Sequence, residues 1–351
     1  RLAEQARGAE AEQRRLAESR EREARQSQAD TQAFADFLAK NILAATRPEG
    51  VQSGVGVNVT MRQALEQAEP ALERVFAGRP RAEALARHEL GVTWRNLGDY
   101  QRAEFHLRRA WQLRESALGE DHPDTLDSLN SLGVMLEEAG RGKEAIPLLE
   151  QCLEKLRASL GEDHPTTVAT LGNLAVAYSS SGEVSKAISL YEQCLEKQRA
   201  SLGEDHRSTL AAIVNLAAAY SSSGEIAKAI SLYEQCLEKQ RANLGDDHPD
   251  TLRTLNSLAS TYESTGDTAK AIPLYEQCLE KRRVKLGDDH PDTLRTLNSL
   301  ASTYESTGQV SKAIPLLEQC LDKQRATLGE DHPDTLGTLD SLAGAYSSSG
   351  E

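Results

Sequence analysis

Histidine beside aspartate is raw material for a metal centre or an acid–base couple, and this sequence offers the pair repeatedly. His122, His164, His206, His248, His290 and His332 each follow an aspartate in a Leu-Gly-Glu/Asp-Asp-His phrase. Each histidine is alone in its phrase, and the phrases recur every 42 residues. If each phrase joins stacked units two helices thick, neighbouring histidines stand roughly 20 Å apart, taking about 10 Å per helix. A metal site needs three or four ligands converging on one ion, so the stripe cannot assemble one. A structural task fits the pattern better: the Asp or His caps the next helix, and the proline that follows in most copies occupies its first turn, where a missing N–H costs nothing.

The other reactive residue types read the same way. Cys152, Cys194, Cys236, Cys278 and Cys320 keep the step of 42 and take the place of the small Ala110. Stacked units hold successive thiols beyond the Cα separation of about 7 Å that a disulfide tolerates. They are expected to be buried small hydrophobes, compatible with a reducing compartment without requiring one. The acidic pairs Glu137-Glu138 and Glu120-Asp121 could serve hydrolysis, but they fall on helix ends and linkers with no pocket implied, so a solvated face is expected. No catalytic residue, cofactor site or metal site is assigned.

The elements that position these residues come from the repetition itself. A fixed period in this range marks a stack of one supersecondary unit, each copy burying its apolar face against its neighbours. Leu171, Leu174, Ala175 and Tyr178 fall at i, i+3, i+4 and i+7 and draw the core stripe of a first helix, which Gly182 closes. Ala187, Tyr191, Cys194 and Leu195 define a second helix that runs through Lys197 and Arg199 to Leu202 and stops at Gly203. The turn glycines Gly98, Gly140, Gly182, Gly224, Gly266, Gly308 and Gly350 hold the register. Six whole helix pairs follow, at 84–125, 126–167, 168–209, 210–251, 252–293 and 294–335, with a lone first helix at 336–351. The first pair, with Gly91 and Trp94 where later copies have Ala and Tyr, is the least regular, as a capping copy should be.

Ahead of the array, residues 1–30 are a charged helix or weak coiled coil with a thin stripe of Leu2, Ala6, Ala9 and Leu16, which could support self-association. Residues 31–83 form a helical segment preceding the repeats. Phe34, Phe37, Leu38, Ile42 and Leu43 share one face there, and Arg47 to Val57 is a loop. Thr60 caps a helix through Leu65, Ala68, Leu72, Val75 and Phe76 that ends at Gly78 and Pro80. Asn58-Val59-Thr60 is also a glycosylation sequon, which the capping role of Thr60 accounts for more simply.

The formal charge is −14, and residues 1–83 carry equal numbers of basic and acidic groups, so the whole excess lies on the array. An acidic body repels phosphate backbones and anionic bilayers, which argues against nucleic acid and membrane surfaces and favours basic or polar peptides. No apolar run spans a bilayer. The chain opens on Arg1 rather than Met and stops at Glu351, where a second helix is due, so it reads as an excerpt of something longer.

Leu90-Gly91, Trp94, Gly98, Ala103 and Ala110, with their later equivalents, resemble the tetratricopeptide repeat, whose usual unit of about 34 residues is lengthened here to 42. The linker phrase followed by Leu-Asn-Ser-Leu-Ala-Ser-Thr-Tyr is similar to the extended repeats of kinesin light chains and their bacterial relatives. The resemblance covers residues 84–351 and implies an all-α, right-handed superhelical solenoid with a concave channel. Residues 32–80, from Phe34-Ala35-Asp36-Phe37-Leu38 to Val59-Thr60-Met61-Arg62-Gln63-Ala64-Leu65, resemble the segment before such repeats in bacterial membrane-anchored serine/threonine protein kinases. That would put a kinase domain and a membrane span upstream of Arg1. No glycine-rich phosphate loop, His-Arg-Asp or Asp-Phe-Gly occurs here, so these residues carry no kinase chemistry. A free-standing repeat protein would be cytoplasmic; a kinase fragment would be membrane-anchored through that upstream span.

The resemblance implies that the face of each first helix opposite its core stripe binds extended peptides. In successive copies this face carries Asp127, Asn130, Val134, Glu137 and Glu138; Ala169, Gly172, Val176, Ser179 and Ser180; Ala211, Val214, Ala218, Ser221 and Ser222; Arg253, Asn256, Ser260, Glu263 and Ser264; and Arg295, Asn298, Ser302, Glu305 and Ser306. An asparagine can grip a peptide backbone through donor and acceptor together, while Arg and Glu select side chains. Residues 244–266 are identical to 286–308, so two like surfaces lie one step apart, suited to a repetitive ligand or to a passive spacer. The expected function is a non-catalytic scaffold for a protein or peptide partner, with a kinase docking region and a spacer as alternatives.

Overall fold

The computed structural model describes the backbone of residues 2–43 and 59–349 and the side chains of 12–43 and 59–349. The side chains of Leu2, Ala6 and Ala9, the loop at 47–57, Asn58 and Gly350 lie outside the described residues. Among the described residues every regular element is helical, and the fold is an all-α repeat solenoid of helices packed in sequence. The chain divides into two compact units, Arg1–Ser181 and Gly182–Glu351.

The first unit contains α1 (Leu2–Phe37), prolonged by one π-helical turn (Leu38–Ile42), then α2 (Met61–Ala68), a 3₁₀ turn (Glu69–Ala71) and α3 (Leu72–Val75). The repeats follow as α4 (Pro80–Asn96), α5 (Tyr100–Leu118), α6 (Pro123–Glu138), α7 (Gly142–Leu160) and α8 (Pro165–Ser180). The second unit holds α9 (Val184–Leu202), α10 (Arg207–Ser222), α11 (Ile226–Leu244), α12 (Pro249–Ser264), α13 (Thr268–Leu286), α14 (Pro291–Ser306), α15 (Val310–Thr327) and α16 (Pro333–Ser349).

Three local departures from the sequence expectation have simple causes. The helix read from Thr60 to Phe76 is broken at Glu69–Ala71, because Pro70 offers no N–H to the α pattern. Pro80 does not end that segment but opens α4 at its first turn. The π turn adds a residue to the register of α1, so Phe37 and Ile42 are buried while Leu43 is 63% exposed. Thr60 caps α2 as expected, its hydroxyl accepting from the Gln63 N–H while the Gln63 side chain accepts from the Thr60 N–H.

Each first helix of the array after the first starts at its histidine. The ring Nδ1 of His122, His164, His206, His248, His290 and His332 accepts the backbone N–H two residues on, at 3.1–3.2 Å. Of the two capping candidates in the phrase, His therefore makes the cap. Thr125, Thr209, Thr251 and Thr335 donate back to the carbonyls of Gly119, Gly203, Gly245 and Gly329, closing the linker. The acidic residues of the phrase are held by lysines of a following second helix: Lys155 to Asp121, Lys239 to Asp205, Lys281 to Asp247 and Lys323 to Asp289, at 2.5–2.8 Å.

The core stripes read from the sequence are buried in both units: Leu171, Leu174, Ala175 and Tyr178 in the first, Ala187, Tyr191, Cys194 and Leu195 in the second. Each later tyrosine of the first helices keeps its hydroxyl on a glutamate: Tyr220 donates to Glu192, Tyr262 to Glu234 and Tyr304 to Glu276. In the first copy Trp94 takes that place. Its ring is fully buried, and its indole N–H and the His106 ring both reach Glu69, at 2.5 and 3.0 Å. The pre-repeat segment thereby covers the start of the stack.

Candidate binding face

The first helices of successive copies touch one another directly: α4 with α6 and α6 with α8 in the first unit, and α10 with α12, α12 with α14 and α14 with α16 in the second. Their polar faces therefore run side by side. In the first unit the Asn173 amide donates to the Asn130 carbonyl oxygen at 3.1 Å, from α8 to α6. Asp127 pairs with Arg114 at 3.2 Å and with His88 at 3.3 Å. Val134, Val176 and Ser179 are half-buried. Glu138 is exposed and pairs with Arg95. Glu137 is not the solvated group expected from sequence: it is half-buried, burial pushes its carboxyl above the ordinary glutamate value, and a hydrogen bond with Ser180 pulls it partly back.

In the second unit Arg253 and Arg295 are exposed and each pairs with the aspartate of its own first turn, Asp250 and Asp292. Asn256 accepts from the Thr296 hydroxyl at 3.1 Å. Glu263 accepts from the Tyr275 hydroxyl and from Thr303, both at 2.8 Å. Its counterpart Glu305 is half-buried, and one turn of α16 brings Gly344 beside its carboxylate. Ser264 and Ser306 donate to the carbonyls of Thr261 and Thr303. Ser260 is exposed and Ser302 half-buried. The Asn298 carbonyl oxygen is buried without a partner. On α10, Ala211, Ala218, Ser221 and Ser222 lie at least partly open, whereas Val214 is only 5% exposed and so is not part of an open face.

Several polar residues that matter to this face escaped the sequence reading. Asn173, Thr296 and Thr303 bridge neighbouring first helices, and Tyr275 reaches Glu263 from a second helix. A further column, Arg114, Leu156, Gln198, Gln240, Arg282 and Gln324, lies near the end of each second helix. Its signal was available: long polar side chains recur in an otherwise apolar helical register. Two larger clefts, of about 950 and 590 Å3, lie elsewhere in the second unit, between α9 and α11 and again between α11 and α13. They are lined by Tyr220 and Lys228 and by their equivalents Tyr262 and Lys270.

The cysteines are buried and unpaired with one another, and burial raises their thiols, to about 12 for Cys152 and about 11 for Cys194, Cys236 and Cys320. Among the described residues no group of His, Cys, Asp and Glu is placed to hold a metal ion, and no helix is long and apolar enough to cross a membrane.

The family model of the tetratricopeptide repeat matches residues 82–158, 129–200, 182–242, 208–283 and 272–326. The chain belongs to the tetratricopeptide repeat family. Its repeats are of the kinesin light chain-like kind. A solved kinesin light chain-like protein of Podosopora anserina with nearly identical TPR-like repeats is 31% identical, covering 58% of this chain and 97% of that one, with a TM-score of 0.51. BtubC (BKLC) from P. vanneervenii is 20% identical over 68% of this chain and 93% of that one, with a TM-score of 0.51. The apo quorum sensor NprR from B. thuringiensis is 15% identical over 89% and 80%, with a TM-score of 0.59, a likeness of fold alone. No match was found among the curated proteins.

Proposed function

We propose that the chain is a non-catalytic scaffold whose first-helix faces bind an extended peptide or protein segment. The observation that carries this is the row of partly open polar groups at which neighbouring first helices touch: Asn130 and Asn173 in the first unit, Asn256, Glu263 and Asn298 in the second. A backbone laid along such a row meets amide donors and acceptors at intervals set by the repeat, while Arg253 and Arg295 face its side chains. The repeat fold is one typical of protein–protein interaction scaffolds, and NprR, which is similar in fold, has been solved in complex with its cognate peptide. The carbonyl oxygens of Asn130 and Asn256 are committed to neighbouring helices, so their amide N–H2 groups are what they offer.

The test is capture of peptides from a random pool by the full chain and by Ser260→Trp, which places a bulky ring on an exposed point of the face. Capture should fall at least tenfold with the thermal midpoint unchanged; undiminished capture counts against the groove.

The second reading, a docking region of a membrane-anchored serine/threonine kinase, is supported by the sequence of residues 32–80 alone. Reading the gene upstream of Arg1 tests it, since a kinase domain and one apolar span should stand there.

A further inference from the structure

The second-helix column contains two buried arginines, and both do the same thing. Arg114 donates through one guanidinium nitrogen to the Asp124 carbonyl and the Ser128 hydroxyl, both at 2.8 Å. Arg282 donates in the same way to the Asp292 carbonyl at 2.7 Å and the Thr296 hydroxyl at 2.6 Å. Each guanidinium thus sits against the first turn of the following first helix, holding a carbonyl and a hydroxyl that the fold presents there.

One copy further on, the same acceptors stand around a shorter side chain. Gln324 replaces the arginine, and Asp334 and Thr338 take the places of Asp292 and Thr296. Gly337 replaces Arg295, the cation beside Arg282, so a positive charge is removed as well as side-chain bulk. A cavity of about 500 Å3 results, lined by Gln324, Asn298, Arg295, Asp334, Gly337 and Thr338 among others. Gln324 is 5% exposed, and the carbonyl oxygens of Gln324 and Asn298 are both buried without a hydrogen-bond partner. Two unsatisfied acceptors lining one cavity favour a ligand that brings hydrogen-bond donors. The formal charges nearby favour a cation: Lys323 holds Asp289 and Arg295 holds Asp292, while Asp334 is largely exposed, with the cap ring of His332 beside it and, among the described residues, no Lys or Arg in ion-pair reach.

We infer that this cavity receives the guanidinium of an arginine in the bound peptide, standing where Arg282 places the chain's own guanidinium one repeat earlier. The inference rests on the first-helix face being the peptide site, since Arg295 and Asn298 belong to both. A guanidinium suits the cavity better than an ammonium, because its fan of N–H groups can serve several acceptors at once, and the lining offers the Gln324 and Asn298 oxygens, the Thr338 hydroxyl and the Asp334 carbonyl. An arginine-bearing partner also matches the acidic charge of the array.

The test uses the full chain and two probes: acetyl-arginine amide, followed by amide NMR shifts, and a pool of random nine-residue peptides captured on the chain and sequenced. Acetyl-arginine amide should move the signals of α14, the end of α15 and the start of α16, and bind at least tenfold more tightly than acetyl-citrulline amide, its neutral counterpart. Gln324→Arg, which supplies an internal guanidinium as Arg282 does, should weaken the arginine probe at least tenfold without lowering the thermal midpoint. Gln324→Glu should tighten it several-fold and keeps the inference testable if the arginine variant misfolds. Equal binding of the citrulline compound, or binding indifferent to both variants, overturns the inference. Peptides captured without arginine enrichment, but lost in Ser260→Trp, sink the pocket and leave the groove standing. Arginine amide bound at the cavity while no peptide is captured does the reverse.

Discussion

The six linker histidines spend their Nδ1 lone pairs on helix caps, so replacing one removes a cap worth about 1 kcal/mol. His248→Ala should lower the stability of the second unit by roughly that amount in urea unfolding. The cysteines direct their thiols at main-chain carbonyls, Cys152 to Leu126 and Cys236 to Leu210, and burial holds them protonated. A thiol reagent at pH 8 should therefore leave all five unmodified in the folded chain and modify all five in denaturant. His88 is different: burial lowers its pKa below the ordinary histidine value against the attraction of Asp127, with Arg114 adding to the depression. A histidine with a depressed folded-state pKa binds protons more readily when unfolded, so stability is lost as the pH falls from about 6.5 toward the folded value. The thermal midpoint of the first unit should drop between pH 7 and 5.5, and His88→Gln should flatten that fall.

At the scale of the helix, close packing and the glycine positions decide the outcome. A methyl group built on Gly133 would stand 2.7 Å from Leu149, and one on Gly91 would stand 2.6 Å from Leu107, so these two first helices accept no side chain where later copies carry alanine. Gly133→Ala should cost about 1–3 kcal/mol by overpacking, whereas Ala259→Gly should cost about 1 kcal/mol through helix propensity with some loss of packing. Chemical denaturation of the two variants distinguishes the causes, because only the first leaves a clash for Leu149 to relieve. The glycine in the first copy reads, from sequence, as part of a capping copy. Its reason is narrower, a leucine opposite, and the capping itself is done by Trp94, His106 and the pre-repeat helices meeting at Glu69.

At the scale of the whole molecule, consecutive packing makes stability a local sum of repeats and their contacts. Leu258→Ala, at a 3% exposed core position of α12, should cost about 2–5 kcal/mol. Hydrogen exchange should show the loss concentrated in α11 to α14, while α4 to α6 keep their protection. A uniform loss along the chain would contradict the one-dimensional view.

The sequence alone was enough to determine the period, the helical character, the core stripes and the structural use of His and Cys. Those properties follow from local spacing, which a repeat prints again in every copy. The register change after Phe37 and the break at Pro70 were readable only in part, because a π turn leaves no composition signal and a single proline is tolerated in a helix's first turn. What only the tertiary structure decided is which polar groups remain available. Asn256 and Asn298 are the same residue in identical stretches of sequence, yet the carbonyl oxygen of one accepts from Thr296 and that of the other is buried without a partner. Likewise Arg282 and Gln324 differ by a substitution whose meaning depends on the carbonyl and hydroxyl facing them. The reason is physical: hydrogen-bond satisfaction belongs to a pair of neighbouring repeats rather than to one, and only their packing sets the two halves of each pair side by side.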